Sequence, residues 1–228
     1  MNALSDTLNT NTNLVRWGKL ISDKCKKCSN RETLHHVLNA CSVALEEGRY
    51  TWRHDNILLY IVETIQEGVK QINETIQIQT DLNPGPCPKN GISTIPPQCT
   101  TTPLIPDICV FWEDRRKLTI IELSVPFESN VDKAHAYKES KYTHMITDIE
   151  SNGYEVKFCA IEIGSRGHIT PQNKTRLKSI LTEFGKPTPF KVFRNTLSKL
   201  AIISSFTVYY AKNNPKWEIQ TPLQIPST

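Results

Sequence analysis

No apolar run in this 228-residue chain approaches the ~20 residues needed to cross a bilayer. The longest candidate, residues 200–210, is broken by Ser204, Ser205 and Thr207, so no membrane partner is expected. No amino-terminal stretch resembles a signal peptide. The seven cysteines form an odd set without even spacing, unlike the disulfide framework of a secreted domain, and a reducing compartment is the simpler account. A soluble intracellular protein is therefore expected, in which the sequons at Asn73 and Asn173 are irrelevant. The Tyr-x-Asp-Asp signature of a polymerase is missing as well, so copying RNA is not expected of this chain. Acids are scarce in one region: residues 165–199 carry Arg166, Lys174, Arg176, Lys178, Lys186, Lys191, Arg194 and Lys199 against Glu183 alone. Over the whole chain, 27 Lys and Arg against 23 Asp and Glu permit nucleic-acid binding without arguing for it. The local surplus has two readings, an idle basic surface or a phosphate-contacting one.

What the chain does contain is concentrated in residues 106–142. Asp107 opens the β-branched and aromatic run Ile-Cys-Val-Phe-Trp; a charged turn follows at residues 113–117, and a second run, Leu118-Thr-Ile-Ile-Glu-Leu-Ser124, completes a hairpin pattern. Asp107 and Glu122 put carboxylates where a buried sheet wants apolar residues. Such positions are costly unless a metal ion or an opposite charge compensates them. Residues 132–152 read as a helix ended by Asn152-Gly153, with Ala134, Lys138 and Lys141 along one face. Two acids and a lysine are the composition that metal-assisted phosphodiester cleavage needs: the acids hold a divalent ion and the ammonium orients or stabilises charge. The bland alternative is a solvated lysine face beside two unrelated acids.

A second constellation lies upstream. Cys25-Lys-Lys-Cys28, seven residues, His36, four residues and Cys41 give a spacing that can close a tetrahedron around zinc, with His35 as the competing ligand. His36 falls on a short helix over residues 33–38, and Cys41 at or just past its end. A closed four-ligand site would be structural and would let so small a segment fold with little core. Cys87 and Cys99 are a weaker metal pair, for which free thiols are the better reading.

Together, Pro106-Asp107, Ile121-Glu122-Leu123-Ser124-Val125-Pro126-Phe127-Glu128 and Ala134-His-Ala-Tyr-Lys138-Glu-Ser-Lys141-Tyr142 resemble the restriction-like endonuclease of non-LTR retrotransposon reverse transcriptases, a branch of the PD-(D/E)XK nuclease superfamily. In that superfamily's usual motif a lysine sits two residues beyond the second acid, where this chain has Ser124. The resemblance implies that the lysine has moved to the following helix, Lys138 first and Lys141 second. Those proteins also carry a similar Cys-Cys-His-Cys knuckle, often with Glu-Thr-Leu-x-His-Val-Leu, matched here by Glu32-Thr33-Leu34-His35-His36-Val37-Leu38; the spacing favours His36. Arg53-His54-Asp55-Asn56 resembles the family's Arg-His-Asn element, with an Asp intervening. His54 is thus either a hydrogen-bonded histidine at a helix start or a contact to DNA or the chemistry.

The resemblance implies structural Zn²⁺ at Cys25, Cys28, His36 and Cys41 and catalytic Mg²⁺ or Mn²⁺ at Asp107 and Glu122. Arg53, His54, Lys174, Arg176 and Lys178 would contact nucleic acid. Glu128 would either add a carboxylate to the metal or cap a helix. The expected partners are DNA, the element's RNA as a further candidate, and a reverse transcriptase domain in a parent polyprotein; the expected place is the nucleus. The task implied is nicking target DNA so that its 3′ end primes reverse transcription. The rival readings are a non-catalytic nucleic-acid-binding module and an inactive fragment.

The expected fold class is α/β: a mixed β-sheet flanked by helices, restriction-endonuclease-like, with a small amino-terminal zinc knuckle. Residues 1–13 are expected as a disordered connector, 14–45 as the knuckle, 46–212 as the endonuclease domain with a Pro-rich loop at 73–105, and 213–228 as a loose tail. Within the large domain the pattern gives a core helix over residues 46–71, the hairpin, the lysine helix, a strand over 155–163, and helices over 170–184 and 187–212.

Overall fold

The computed structural model describes residues 7–72, 74–82 and 94–218. The chain folds as an α/β protein: a four-stranded mixed sheet flanked by helices, with a Cys/His cluster near its amino terminus. After the short helices α1 (Asn11–Arg16) and α2 (Ser42–Glu46), helix α3 (Arg49–Val69) leaves Gly48, whose left-handed backbone (φ +75°) turns the chain into it. Its stripe Ile57, Leu58, Ile61, Val62 and Ile65 is buried, each side chain contributing about 1.5–3 kcal/mol. Strands β1 (Ile76–Thr80), β2 (Ile108–Trp112) and β3 (Lys117–Ser124) run antiparallel in sequence order. Helix α4 (Val131–Ser151) then carries the chain over the sheet to β4 (Glu155–Glu162), which pairs with β3 in parallel, Glu122 opposite Ala160 and Ser124 opposite Glu162.

The alternation of the strands divides the core. Ile108, Val110, Trp112, Ile121, Leu123 and Ile161 face α3, α5 (Pro171–Glu183) and α6 (Phe190–Tyr210). Cys109, Phe111, Leu118 and Ile120 face Tyr142, Met145 and Ile149 of α4. Glu122 and Glu162 share this second face by parity, which points both at α4. Helix α5 starts as its sequence suggests, with the Thr170 hydroxyl accepting the Asn173 N–H and Pro171 in the first turn. Between the layers, Phe184 stacks on Trp112 at 5.7 Å.

Three sequence expectations need correction. Residues 11–13 are not a disordered connector: α1 (Asn11–Arg16) is capped by Thr10, and Asn11 and Asn13 are buried on the backbone of Lys24 and Leu8. The stretch 73–105 is not all loop. It contains β1, and past the undescribed residues 83–93, which include Cys87, Ile95 and Cys99 are buried in the α4-side core. Nor is the start of the tail loose: Trp217 packs edge-on against Trp52 at 5.4 Å, and Arg49 donates to the carbonyls of Ala211 and Asn214. No helix among the described residues is long and apolar enough to cross a membrane.

Candidate functional site

The hairpin places the two sequence-predicted acids side by side. Asp107 immediately precedes β2 and Glu122 lies on β3, so the register Ile108 to Ile121 sets them opposite each other. Both are buried, at 7% and 3% exposure. The Asp107 N–H donates to Glu122 Oε2 (3.0 Å), and Asp107 Oδ2 accepts the Leu123 N–H (2.7 Å). Cations complete the arrangement. Lys138 Nζ forms an ion pair with Glu122 Oε1, and His54 Nε2 stands 3.2 Å from Asp107 Oδ2 while its Nδ1 meets Asp55 Oδ1 at 2.9 Å.

The electrostatics of the two acids diverge. Burial works against ionising Asp107, but His54, the Leu123 N–H and Lys138 outweigh it and hold the carboxyl below the usual range. Burial and the Asp107 charge push Glu122 up, against the pull of Lys138. Burial disfavours charge on His54, yet Asp107 and Asp55 lift its pKa to about 10, so it stands as a cation beside Asp107 at neutral pH. An open cleft of about 370 Å³ exposes this group; Asn39, Thr51, His54, Asp107 and Lys138 are among its walls.

The structure discriminates between the two lysines. Lys138 reaches Glu122, whereas Lys141 lies over the Tyr142 ring (4.7 Å) and donates to its hydroxyl (3.2 Å). Glu128 does not take the capping role, one of the two expected of it. Its carboxylate accepts from the Arg166 backbone N–H (2.7 Å) and from Arg166 Nε (2.6 Å), fastening the turn after β4. Arg53 is 2% exposed, its guanidinium donating to the carbonyls of Leu38 and Val125 and to Ser205 Oγ at the wall of the same cleft.

Lys174, Arg176 and Lys178 lie on α5, which packs on the sheet face away from α4. Of the three, Arg176 reaches the edge strand β4, where it meets a feature the sequence reading missed. Glu162, 1% exposed, has Oε1 at 3.1 Å from His135 Nδ1 and Oε2 at 3.5 Å from Arg176 Nη1, while Arg176 Nη2 donates to His135 Nε2 (2.9 Å). Since Nε2 accepts, the proton sits on Nδ1 and is donated to Glu162. A third buried carboxylate thus shares the α4 face with Glu122, one strand over. Glu162 ends an apolar β run, where a charged residue reads as solvent-facing; its signal was the further apolar residue Ile163.

Comparison with protein-family models and with curated proteins finds no match.

The second constellation is also assembled. The candidate ligand atoms of Cys25, Cys28, His36 and Cys41 all lie within 4.8 Å of one another. Cys28 and Cys41 Sγ are 3.8 Å apart, and His36 Nε2 is 3.2 Å from Cys28 Sγ. Tetrahedral zinc with Zn–S near 2.3 Å sets sulfurs about 3.8 Å apart, so the group could hold a zinc ion. The local turn suits this: the Cys25 N–H bonds the Asn30 carbonyl, and Ser29 adopts a left-handed backbone (φ 62°). Burial opposes the Cys28 thiolate, but the Asn30 backbone and neighbouring thiols lower its pKa, while burial pushes Cys41 up to about 11. Burial also lowers His36, favouring the neutral imidazole a metal requires. His35 is elsewhere, edge-on to the Phe127 ring at 5.0 Å.

Proposed function

We propose that this chain is a metal-dependent DNA endonuclease braced by a structural zinc site, the nicking part of a protein that inserts a retrotransposon by target-primed reverse transcription. One observation carries the reading: two buried carboxylates lie side by side at the hairpin, Asp107 lining a cleft and Glu122 paired with Lys138, which reaches from the next helix and lines the same cleft. The order of elements supports it too, since α3, three antiparallel strands, α4 and a parallel fourth strand put β4 beside the acid pair, where a restriction-like core would need it.

The donor set suits a hard divalent cation. Asp107 and Glu122 supply carboxylate oxygens, Asp107 Oδ1 has no protein partner among the described residues, and the coupled charges of the pair favour an added cation. A bound Mg²⁺ or Mn²⁺ would supply an activated water and neutralise phosphate charge. Lys138 orients the attacking water or stabilises the charge that develops on the phosphorus oxygens. His54 holds Asp107 ionised. Lys141, turned onto Tyr142, supports the helix face. A nick of this kind leaves the 3′ hydroxyl that reverse transcription needs as its primer, in nuclear DNA and with the element's RNA as template. The test is end-group analysis of a cut duplex: ends extended by an added polymerase without prior phosphatase treatment support the reading, and 3′-phosphate ends refute it.

A second reading, a non-catalytic nucleic-acid-binding module, draws its support from the protein cations His54 and Lys138 that already neutralise both acids. On that reading binding survives Asp107→Ala and Glu122→Ala in a protein that never cuts.

A further inference from the structure

The turn between the zinc-site residues His36 and Cys41 also touches the exit of β3, the strand that carries Glu122. A π-helical turn, His36–Ala40, begins on one candidate ligand and ends against another, Cys41. Such turns are rare and recur at functional sites. Between the two ligands, Asn39 Nδ2 donates to the Val125 carbonyl (2.8 Å). Arg53 ties the same two segments from below, giving Nη1 to the Leu38 carbonyl (2.8 Å) and Nη2 to that of Val125 (3.2 Å). Tyr50 closes the turn on its other side: its hydroxyl donates to the Val37 carbonyl (3.0 Å) and accepts the Cys41 N–H (3.1 Å).

Val125 directly follows β3. Two residues before it, the Leu123 N–H holds Asp107; three before it is Glu122. Arg53 is followed in the chain by His54, which stands on Asp107. A tethered knuckle that bound nucleic acid on its own would show none of these links, and its residues would not line the acid cleft, as Asn39 does.

We propose that the Cys25/Cys28/His36/Cys41 centre is a strut of the acid pair, with Asn39 as the positioning residue that transmits its geometry to Val125 and so to Glu122 and Asp107. As an account of catalysis, this rests on the nuclease reading above. Cys25, Cys28, His36 and Cys41 would hold the metal, which would tie down both ends of the turn; the turn carries Asn39, and Asn39 holds the exit of β3. Its consequence is a division of effects: loss of Asn39 slows the chemical step and leaves duplex affinity intact.

The test compares the full chain with Asn39→Ala and Asn39→Gln, with zinc content checked by release to a chromogenic chelator. Asn39→Ala is expected to keep one zinc and to bind a labelled DNA duplex within about two-fold of the parent. It should nick about ten-fold more slowly at saturating protein. Amide exchange across residues 122–127 should quicken about five-fold, the factor that goes with one lost hydrogen bond, and Asn39→Gln should recover part of both losses. Stripping zinc from the parent should quicken exchange over the same residues. Unchanged exchange at 122–127 in Asn39→Ala overturns the strut, as does weakened duplex binding with an unchanged nicking rate, which would mark a binding knuckle. If the parent cuts nothing, the nuclease reading fails, and the exchange measurement still decides the strut either way.

Discussion

Replacing Lys138 with methionine keeps the aliphatic stem and removes only the charge that sits on Glu122. The Glu122 side chain is 3% exposed and that of Lys138 20%, so the pair is largely withdrawn from water. Removing one partner of a buried pair costs about 3–5 kcal/mol, and the residual exposure of Lys138 points to the lower figure, ~3 kcal/mol. For a chain of this size, at roughly 2–4 °C per kcal/mol, that is a fall of about 6–12 °C in Tm at pH 8. The penalty should shrink at acid pH. Burial and Asp107 already raise the Glu122 pKa, and without Lys138 it rises further, so protonation removes the uncompensated charge at a higher pH than in the parent. Adding Glu122→Gln to Lys138→Met should recover most of the loss at pH 8 without restoring nicking, and Lys141→Met should cost under about 1 kcal/mol. Melting curves at pH 5 and pH 8 decide the matter. A fall of less than about 2 °C at pH 8, or the same fall at both pH values, or a double variant no more stable than the single, refutes the reasoning.

His54 gives a pH signature. Its folded-state pKa, lifted to about 10 against a free value near 6.5, makes its contribution complete below about pH 6.5 and lost as pH rises through 10. Without added divalent ions, urea midpoints at pH 6.5 and 9.5 should therefore separate more for the parent than for His54→Gln; parallel behaviour contradicts this. At Gly68 an added Cβ would stand 1.8 Å from the Phe184 carbonyl oxygen, so Gly68→Ala should separate α3 from the end of α5 and cost more than about 3 kcal/mol, and a melting temperature near the parent's would show that contact to be wrong. Arg53→Met takes its donors from the carbonyls of Leu38 and Val125, the latter keeping Asn39, an expected loss of about 1–3 kcal/mol in urea unfolding with duplex affinity unchanged; weakened binding in a stable protein would mark Arg53 as a nucleic-acid contact.

The acids and the cysteines were legible because each broke a local rule. A carboxylate inside a β-branched run and a Cys-x2-Cys turn followed by His36 and Cys41 are expensive or idle unless something uses them. The core helix was legible through its period, and three of the strands through their β-branched composition and the turn residues that bound them. What stayed hidden depended on neighbours far away in sequence. Strand β1 is five residues of Ile-Gln alternation next to prolines, and it is stabilised by pairing with β2 rather than by its own composition. Arg53 reads as a basic surface contact until α6 and the end of β3 close over it. Glu162 has no local motif, and the motif that ends on Glu128 does not name its partner; Arg166, His135 and Arg176 give the two acids their contacts. Nothing in the spacing of Lys138 and Lys141 chose between them, whereas the rotation of α4 over β3 did.

The account stands on Asp107 and Glu122 acting as one site on DNA. The most direct measurement is relaxation of supercoiled plasmid by purified, zinc-loaded protein in Mg²⁺ and then in Mn²⁺, with Glu122→Ala prepared in parallel. The account predicts open-circular plasmid from the parent in either ion, abolished by chelator, and none from Glu122→Ala. A folded parent that leaves the plasmid supercoiled in both ions, or a Glu122→Ala variant that nicks as fast as the parent, would contradict it.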